Sequence, residues 1–205
     1  MQTPIASRFA TSLLALALAA LAATPAFAQK AHSHVHGVAK LEVVVDGESL
    51  QLRLESPLDN LLGFERAPRN DRERAAVRDM ANKLRQGERL FAPSAGAQCR
   101  LVSVSLKTPA LDAALLGEPG GNAKTPAKHD PKHDPKHEHG HDDHDDHADL
   151  VAEYRFQCAR AGALTGMEVR LADQFKGLRR IDAQVVTPKR QSASRITARM
   201  RALSW

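Results

Sequence analysis

Apolar and polar residues alternate over several stretches of the chain, and this two-residue period predicts β-strands with one buried face. Lys40 to Val45 and Leu50 to Leu54 are two such runs, separated by the hairpin signal Asp46-Gly47. In the second run Leu50, Leu52 and Leu54 share one face, Gln51 and Arg53 take the other, and Ser56-Pro57 ends the strand. Leu101 to Leu106 alternates again, with Val102, Val104 and Leu106 on one side. Towards the C-terminus Tyr154, Phe156 and Cys158 alternate with Glu153, Arg155 and Gln157. Met167, Val169 and Leu171 form a further set, and Ile181, Ala183 and Val185 another, stopped by Pro188. One stretch has a different period. From Asp71 to Gln86, Ala76 or Val77, Met80, Ala81 and Leu84 recur at three and four residues, which predicts an amphipathic helix. Asn70 or Asp71 is its candidate N-cap and Gly87 its candidate stop. The fold class expected is α+β: an antiparallel β-sheet with one principal helix.

The periodic pattern is absent at two places. At the N-terminus, Arg8 precedes a Leu- and Ala-rich run from Leu13 to Ala23, followed by Ala26-Phe27-Ala28. This is the layout of a cleaved signal peptide over residues 1–28, with an uncleaved anchor as the alternative. The run is too short for a bilayer core of about 20 residues. No later run is long enough either, so no membrane span is expected after cleavage. The second place is residues 108–149, which hold Pro109, Pro119, Gly120-Gly121, Pro126, Pro131 and Pro135. From Lys128 onward the sequence reads KHDPKHDPKHEHGHDDHDDH, low-complexity sequence whose recurring prolines forbid a helix. Such a segment buries too little apolar surface to offset its ordering entropy, so a disordered His-rich insertion is expected. Residues 29–107 and 150–205 are then the two halves of a single domain that this insertion interrupts.

Two cysteines, Cys99 and Cys158, suit an oxidising compartment, and a disulfide is expected between them. Free buried thiols or a thiolate metal pair are the alternatives. The bridge closes a loop of about 60 residues that contains the insertion, and is expected to staple the insertion's base.

Histidine placement is the strongest chemical signal. All ten histidines fall in two groups. His32, His34 and His36 lie near the mature N-terminus; His129, His133, His137, His139, His141, His144 and His147 lie in the insertion. Neutral imidazole suits zinc, copper and nickel. In an extended segment His32, His34 and His36 share a face, so two or three of them reach one ion. Asp130, Asp134, Glu138, Asp142, Asp143, Asp145 and Asp146 supply oxygen donors or accept the second ring N–H. Spacing this loose points to several exchangeable ions, about two or three at three or four donors each. Glu42 and Asp59 are carboxylates of the ordered part that stand as additional candidate ligands. The alternatives are copper or nickel as the metal, or a passive solvated spacer.

Other function classes find less support. Aromatics make up 4% of the chain and the net charge is +5, which gives little material for nucleic-acid binding. The core segments hold no histidine to pair with a serine or cysteine nucleophile, and there is no His-Glu-x-x-His helix, so no enzyme is expected. The basic residues Lys176, Arg179, Arg180, Lys189, Arg190, Arg195, Arg199 and Arg201 read as a solvated face, with partner docking as the other option.

Several of these residues carry a family resemblance. His34-x-His36-Gly37 leads into a strand; Ser56-Pro57 is followed by Asn60-Leu61-Leu62-Gly63-Phe64-Glu65; Val185-x-Thr187-Pro188 precedes Gln191. Across His32–Pro68 and Tyr154–Trp205, with the histidine-rich insertion between, the chain resembles the ZrgA-like periplasmic zinc-binding family. The resemblance implies a periplasmic protein that binds Zn2+ and supports zinc acquisition; with every histidine clustered outside the core, a module that passes zinc to an inner-membrane importer is expected. It places the family's histidine-rich segment at His129 through His147 and its N-terminal histidines at His34 and His36. One stretch departs from the family: a Phe-Pro-like turn is replaced by Asp173-Gln174-Phe175-Lys176-Gly177.

Overall fold

The computed structural model describes residues 35–119 and 148–205. Alternation has the anticipated effect in β1 (Val38–Asp46) and β2 (Ser49–Pro57), which pair as an antiparallel hairpin. Gly47 adopts a positive φ of 55° in the tight turn between Asp46 and Ser49, a conformation that costs glycine little. Leu41 and Val43 from β1, and Leu50, Leu52 and Leu54 from β2, are buried. β5 (Asp149–Cys158) lies antiparallel to the other side of β2, and β4 (Cys99–Lys107) lies antiparallel to β5. β7 (Arg180–Val186) joins the free side of β1 and β8 (Gln191–Ile196) closes a hairpin with β7, giving the order β4-β5-β2-β1-β7-β8. A small second sheet, β3-β6-β9, is formed by Phe91–Pro93, Gly166–Val169 and Ala202–Ser204.

The main sheet is mixed, not antiparallel throughout as the sequence suggested. β1 and β7 run parallel, in register from Val38↔Arg180 to Val44↔Val186. A strand with one buried face alternates in the same way beside either kind of neighbour, so the pattern is blind to direction.

Of the helices described, α2 (Asp71–Arg85) is 15 residues long. Four others have four residues each: α1 (Asp59–Leu62), α3 (Gly87–Leu90), α4 (Ala113–Leu116) and α5 (Leu171–Gln174). In α2 the side chain of Asn70 accepts from the Glu73 N–H at 2.9 Å, which caps the first turn. The Glu73 carboxylate accepts from the Arg66 guanidinium and the Arg69 N–H, both at 2.7 Å. The Arg66 bond in particular holds its pKa down to about 2. Val77, Met80, Ala81 and Leu84 form the buried stripe, so Val77 takes the inward place and Ala76 is exposed.

Three other details differ from the sequence expectation. A bulge between Leu101 and Ser103 sets Leu101 opposite Phe156 and Val104 opposite Tyr154, which leaves Val102 at 61% exposure instead of on the inner face. Leu171 is buried as anticipated by its neighbours' pattern, but it opens α5 instead of extending β6. Gly87 does not stop α2 by a left-handed turn; it begins α3. A Cβ there would lie 2.9 Å from Tyr154 Cδ1 and 3.1 Å from Leu101 Cδ2, so close contact with the sheet requires glycine.

The inner face of the main sheet, the α2 stripe and the small sheet contribute to one apolar core. The outer face is polar, with Lys40, Glu42, Gln51, Glu153, Arg155 and Gln184 exposed. Within the core Tyr154 meets Phe91 edge-on, ring centroids 4.9 Å apart. Its hydroxyl is buried with no hydrogen-bond partner among the described residues, and burial raises its pKa above the usual phenol range.

Cys99 and Cys158 form the disulfide, with S–S 2.05 Å, between directly opposed residues of β4 and β5. Its position corrects the expectation that it staples the base of the insertion. The connection carrying the insertion leaves after the Lys107 end of β4 and returns at Asp149, whereas the disulfide joins the opposite ends of the same strands. Seven residues, roughly 23 Å of strand, separate Cys158 from Val151, the partner of Lys107.

Replacing both cysteines by alanine is expected to lower unfolding free energy by about 2–5 kcal/mol, read by urea denaturation. Tyr154→Phe is expected to be neutral or stabilising by up to about 1 kcal/mol in the same assay, because it removes a buried hydroxyl without breaking a bond.

Candidate metal centre

β1 is preceded by a tight turn. The Val38 N–H donates to the Val35 carbonyl at 3.0 Å, with His36 and Gly37 in between. Gly37 has φ +82°, and a Cβ on it would fall 3.1 Å from Arg179 Cδ, so both conformation and space call for glycine. The Gly37 carbonyl accepts from the N–H groups of Arg179 at 2.8 Å and Arg180 at 2.9 Å, which ties the turn to the start of β7.

On its other side the turn is held by Asn60, in α1. The Gly37 N–H donates to Asn60 Oδ1, and Asn60 Nδ2 donates to the Val38 carbonyl at 3.0 Å and to Ser56 Oγ at 3.2 Å. Asn60 is 2% exposed and Ser56 0%; they are the buried polar residues of the described core. The amide therefore uses its oxygen and both amide hydrogens, as burial demands. Gly177 crosses directly over Asn60, where a Cβ would be 2.6 Å from the Asn60 carbonyl oxygen. The stretch that departs from the family pattern thus supplies the residue that lets the chain pass this close.

Fixing Asn60 fixes its neighbour. Asp59 Oδ2 lies 3.2 Å from His36 Nδ1. The His36 side chain is 60% exposed and that of Asp59 35%, so the pair sits at the surface above the buried amide. A carboxylate at Nδ1 favours the tautomer protonated there, which puts the ring's lone pair on Nε2. Asp59 also borders a groove of about 320 Å³ lined by Leu62, Met80, Lys83, Phe175 and Lys176.

The histidine-rich insertion returns to the fold at the same place. The Leu58 N–H donates to the Ala148 carbonyl at 2.9 Å, and Pro57 is the register partner of Asp149. His147 immediately precedes Ala148, and Leu58 immediately precedes Asp59. The outgoing end is also anchored: Arg85 donates to the Leu116 carbonyl and to Glu118, each at 2.8 Å.

Of the metal-site residues expected from sequence, His36 is described, and it is paired with Asp59. His32, His34, His129, His133, His137, His139, His141, His144 and His147 lie outside the described residues. Among the described residues no group of three or more His, Cys, Asp or Glu side chains is arranged to hold an ion. Glu42 is not brought to His36. It lies on the outer sheet face opposite Arg53 and Gln184, four residues or roughly 13 Å along β1 from Val38. The sequence placed Ser56 at the end of a strand and both Ser56 and Asn60 in the motifs of the family resemblance, but did not show that their side chains meet in the core. The available signal was the polar pair Asp59-Asn60 between Leu58 and Leu61-Leu62, but the Asn60 partner Gly37 is 23 residues away.

Asn60→Ala strips Gly37, Val38 and Ser56 of their partner in a buried site. It is expected to cost about 2–4 kcal/mol in urea denaturation and to speed amide exchange at Gly37.

A search of curated proteins returned no match. The family model for ZrgA family zinc uptake proteins matches residues 33–205, from the histidine turn through the C-terminal strand. The chain belongs to the ZrgA family of zinc uptake proteins.

Proposed function

We propose that this chain is an exported, non-catalytic zinc-capture protein that collects Zn2+ on its histidine-rich insertion and N-terminal histidines and passes it to an importer in the inner membrane. Zinc uptake is the family's role. The Cys99–Cys158 disulfide and the leader-like residues 1–28 support an oxidising, periplasmic location. One observation carries the reading: the two histidine groups, remote in sequence, meet the fold at adjacent residues. His36 rests on Asp59, and the chain leaving His147 is bonded through Ala148 to Leu58. Ligands from both groups can therefore reach one locality, with His36 as the partner whose orientation is already set.

His129, His133, His137, His139, His141, His144 and His147, with their interleaved carboxylates, supply redundant donors. Such an arrangement gains capacity and exchange at the expense of affinity, because ordering a loose segment costs conformational entropy. That combination suits a protein that gathers and releases a cargo ion. A catalytic site would need a rigid pocket with several fixed ligands and an open position.

Calorimetric titration of residues 29–205 is expected to show about two or three zinc ions per chain, with binding lost below about pH 6 as the imidazoles protonate. Deleting 128–147 should remove most of the capacity. Asp59→Asn should weaken the remaining site by about 10–100-fold, and His36→Ala should abolish it. Fewer than one ion bound at micromolar zinc would sink the proposal, and preference for copper or nickel under equal free-metal buffering would reassign the cargo.

A further inference from the structure

The six-stranded sheet has two edges, and the chain treats them differently. At β4 the Leu101 N–H donates to Glu88 Oε1 at 3.1 Å and the Leu106 N–H to Glu118 Oε1 at 2.7 Å. Arg85 holds Glu118 in place at 2.8 Å, and the bulge at Val102 interrupts the edge between them. A further strand cannot add there without displacing both carboxylates.

β8 carries no such cover among the described residues. Its hairpin with β7 is closed by a bond from the Thr187 N–H to the Arg190 carbonyl at 2.9 Å, and the register runs without a shift to Ile181↔Ile196. Alternation from that closing bond directs Ser192, Ser194 and Ile196 towards β7, and turns the N–H and C=O groups of Gln191, Ala193 and Arg195 outward. No hydrogen bond within the described residues reaches those three backbones. Gln191, Ala193, Ser194 and Arg195 are exposed, and the small side chains of Ser192, Ala193 and Ser194 leave room for a neighbouring chain. The strand has neither proline nor bulge.

Charge identifies the occupant. From Thr187 to Arg201 the chain carries Lys189, Arg190, Arg195, Arg199 and Arg201 and no acidic residue. Arg201 is engaged by Asp173 at 2.6 Å and Arg195 leans to Asp182 at 3.8 Å; Lys189, Arg190 and Arg199 are exposed and form no ion pair among the described residues. Two copies meeting β8 to β8 would set like charges side by side. We infer that β8 is a docking edge for an extended, acidic segment of a partner protein, taken up as a seventh strand through main-chain hydrogen bonds. The inference does not depend on zinc. It does place the partner usefully: the docked strand would lie three strand spacings, roughly 14 Å, from β1, whose first residue follows the His36 turn.

The test uses residues 29–205 without metal, and a synthetic eight-residue peptide of alternating Glu and Val, with a Lys/Val peptide as control. Amide exchange at Gln191, Ala193 and Arg195 is expected to slow by about tenfold or more with the acidic peptide and to be unchanged with the basic one. Ala193→Pro, which removes an N–H that β7 does not use, and the pair Lys189→Glu/Arg190→Glu should each weaken binding by about tenfold. The charge variant leaves the strand backbone intact and decides the matter if the proline variant fails to fold. Three results would overturn the inference. One is no protection of these amides at millimolar acidic peptide, or equal protection by both peptides. Another is protection already present in the free protein at every concentration, which would assign the edge to the chain's own segments. The third is protection that grows with protein concentration alongside a dimer in sedimentation, which would assign it to a second copy.

Discussion

The buried amide of Asn60 ties together three parts of the chain at the open end of the β1–β2 hairpin. Its oxygen takes the Gly37 N–H, and its nitrogen gives one hydrogen to Val38 and one to Ser56. The start of β1, the end of β2 and the first turn of α1 are thereby fixed to one another. Burying a primary amide is costly unless every donor and acceptor is met, and here each is. The Gly37 carbonyl, on the far side of the same turn, receives two N–H groups from the start of β7. The parallel pairing of β1 and β7 therefore begins at the residue that Asn60 holds. The His36–Asp59 geometry is a by-product of this arrangement, since each residue of that pair adjoins a member of the amide's bonding set.

How much could be read from the residues alone depended on distance along the chain. The faces of β1, β2, β5 and β7 were legible because burial on one side imposes a period of two: Leu50, Leu52 and Leu54 point inward, as do Ile181, Ala183 and Val185. The stripe of α2 and its cap at Asn70 were legible because both are local. Direction of pairing was not, since β1 meets β7 across more than a hundred residues of intervening sequence. Nor was the Val102 bulge, which a run of alternating residues does not announce. The disulfide was correctly paired but set at the wrong end of its hairpin. In an antiparallel pair the connection joins the end of the first strand to the start of the second. Cys99 begins β4 and Cys158 ends β5, so the bond had to lie at the other end.

The candidate site was legible in residue type and not in arrangement. Imidazole marks His36 as a candidate ligand wherever it lies, and Asp59 was one of two carboxylates that stood as candidates. Only the fold separates them, bringing Asp59 to His36 and leaving Glu42 on the outer face of the sheet. The convergence of His36 with the returning end of the insertion depends on Leu58 and Ala148, two apolar residues whose role is played by backbone atoms that no side-chain pattern reports.

The attachment of the insertion bears on how such a chain can change over evolutionary time. Its described ends are secured by contacts of their own, Leu58 to Ala148 on one side and Arg85 to Leu116 and Glu118 on the other. Neither anchor depends on the number of residues between them. Loop closure costs only about 0.6 kcal/mol for each doubling of length. Gaining or losing a Lys-His-Asp-Pro unit should therefore leave the domain's stability almost unchanged while altering the number of available donors. Under the function proposed above, metal capacity then becomes a quantity set by repeat number, free to drift or be selected without renegotiating the core.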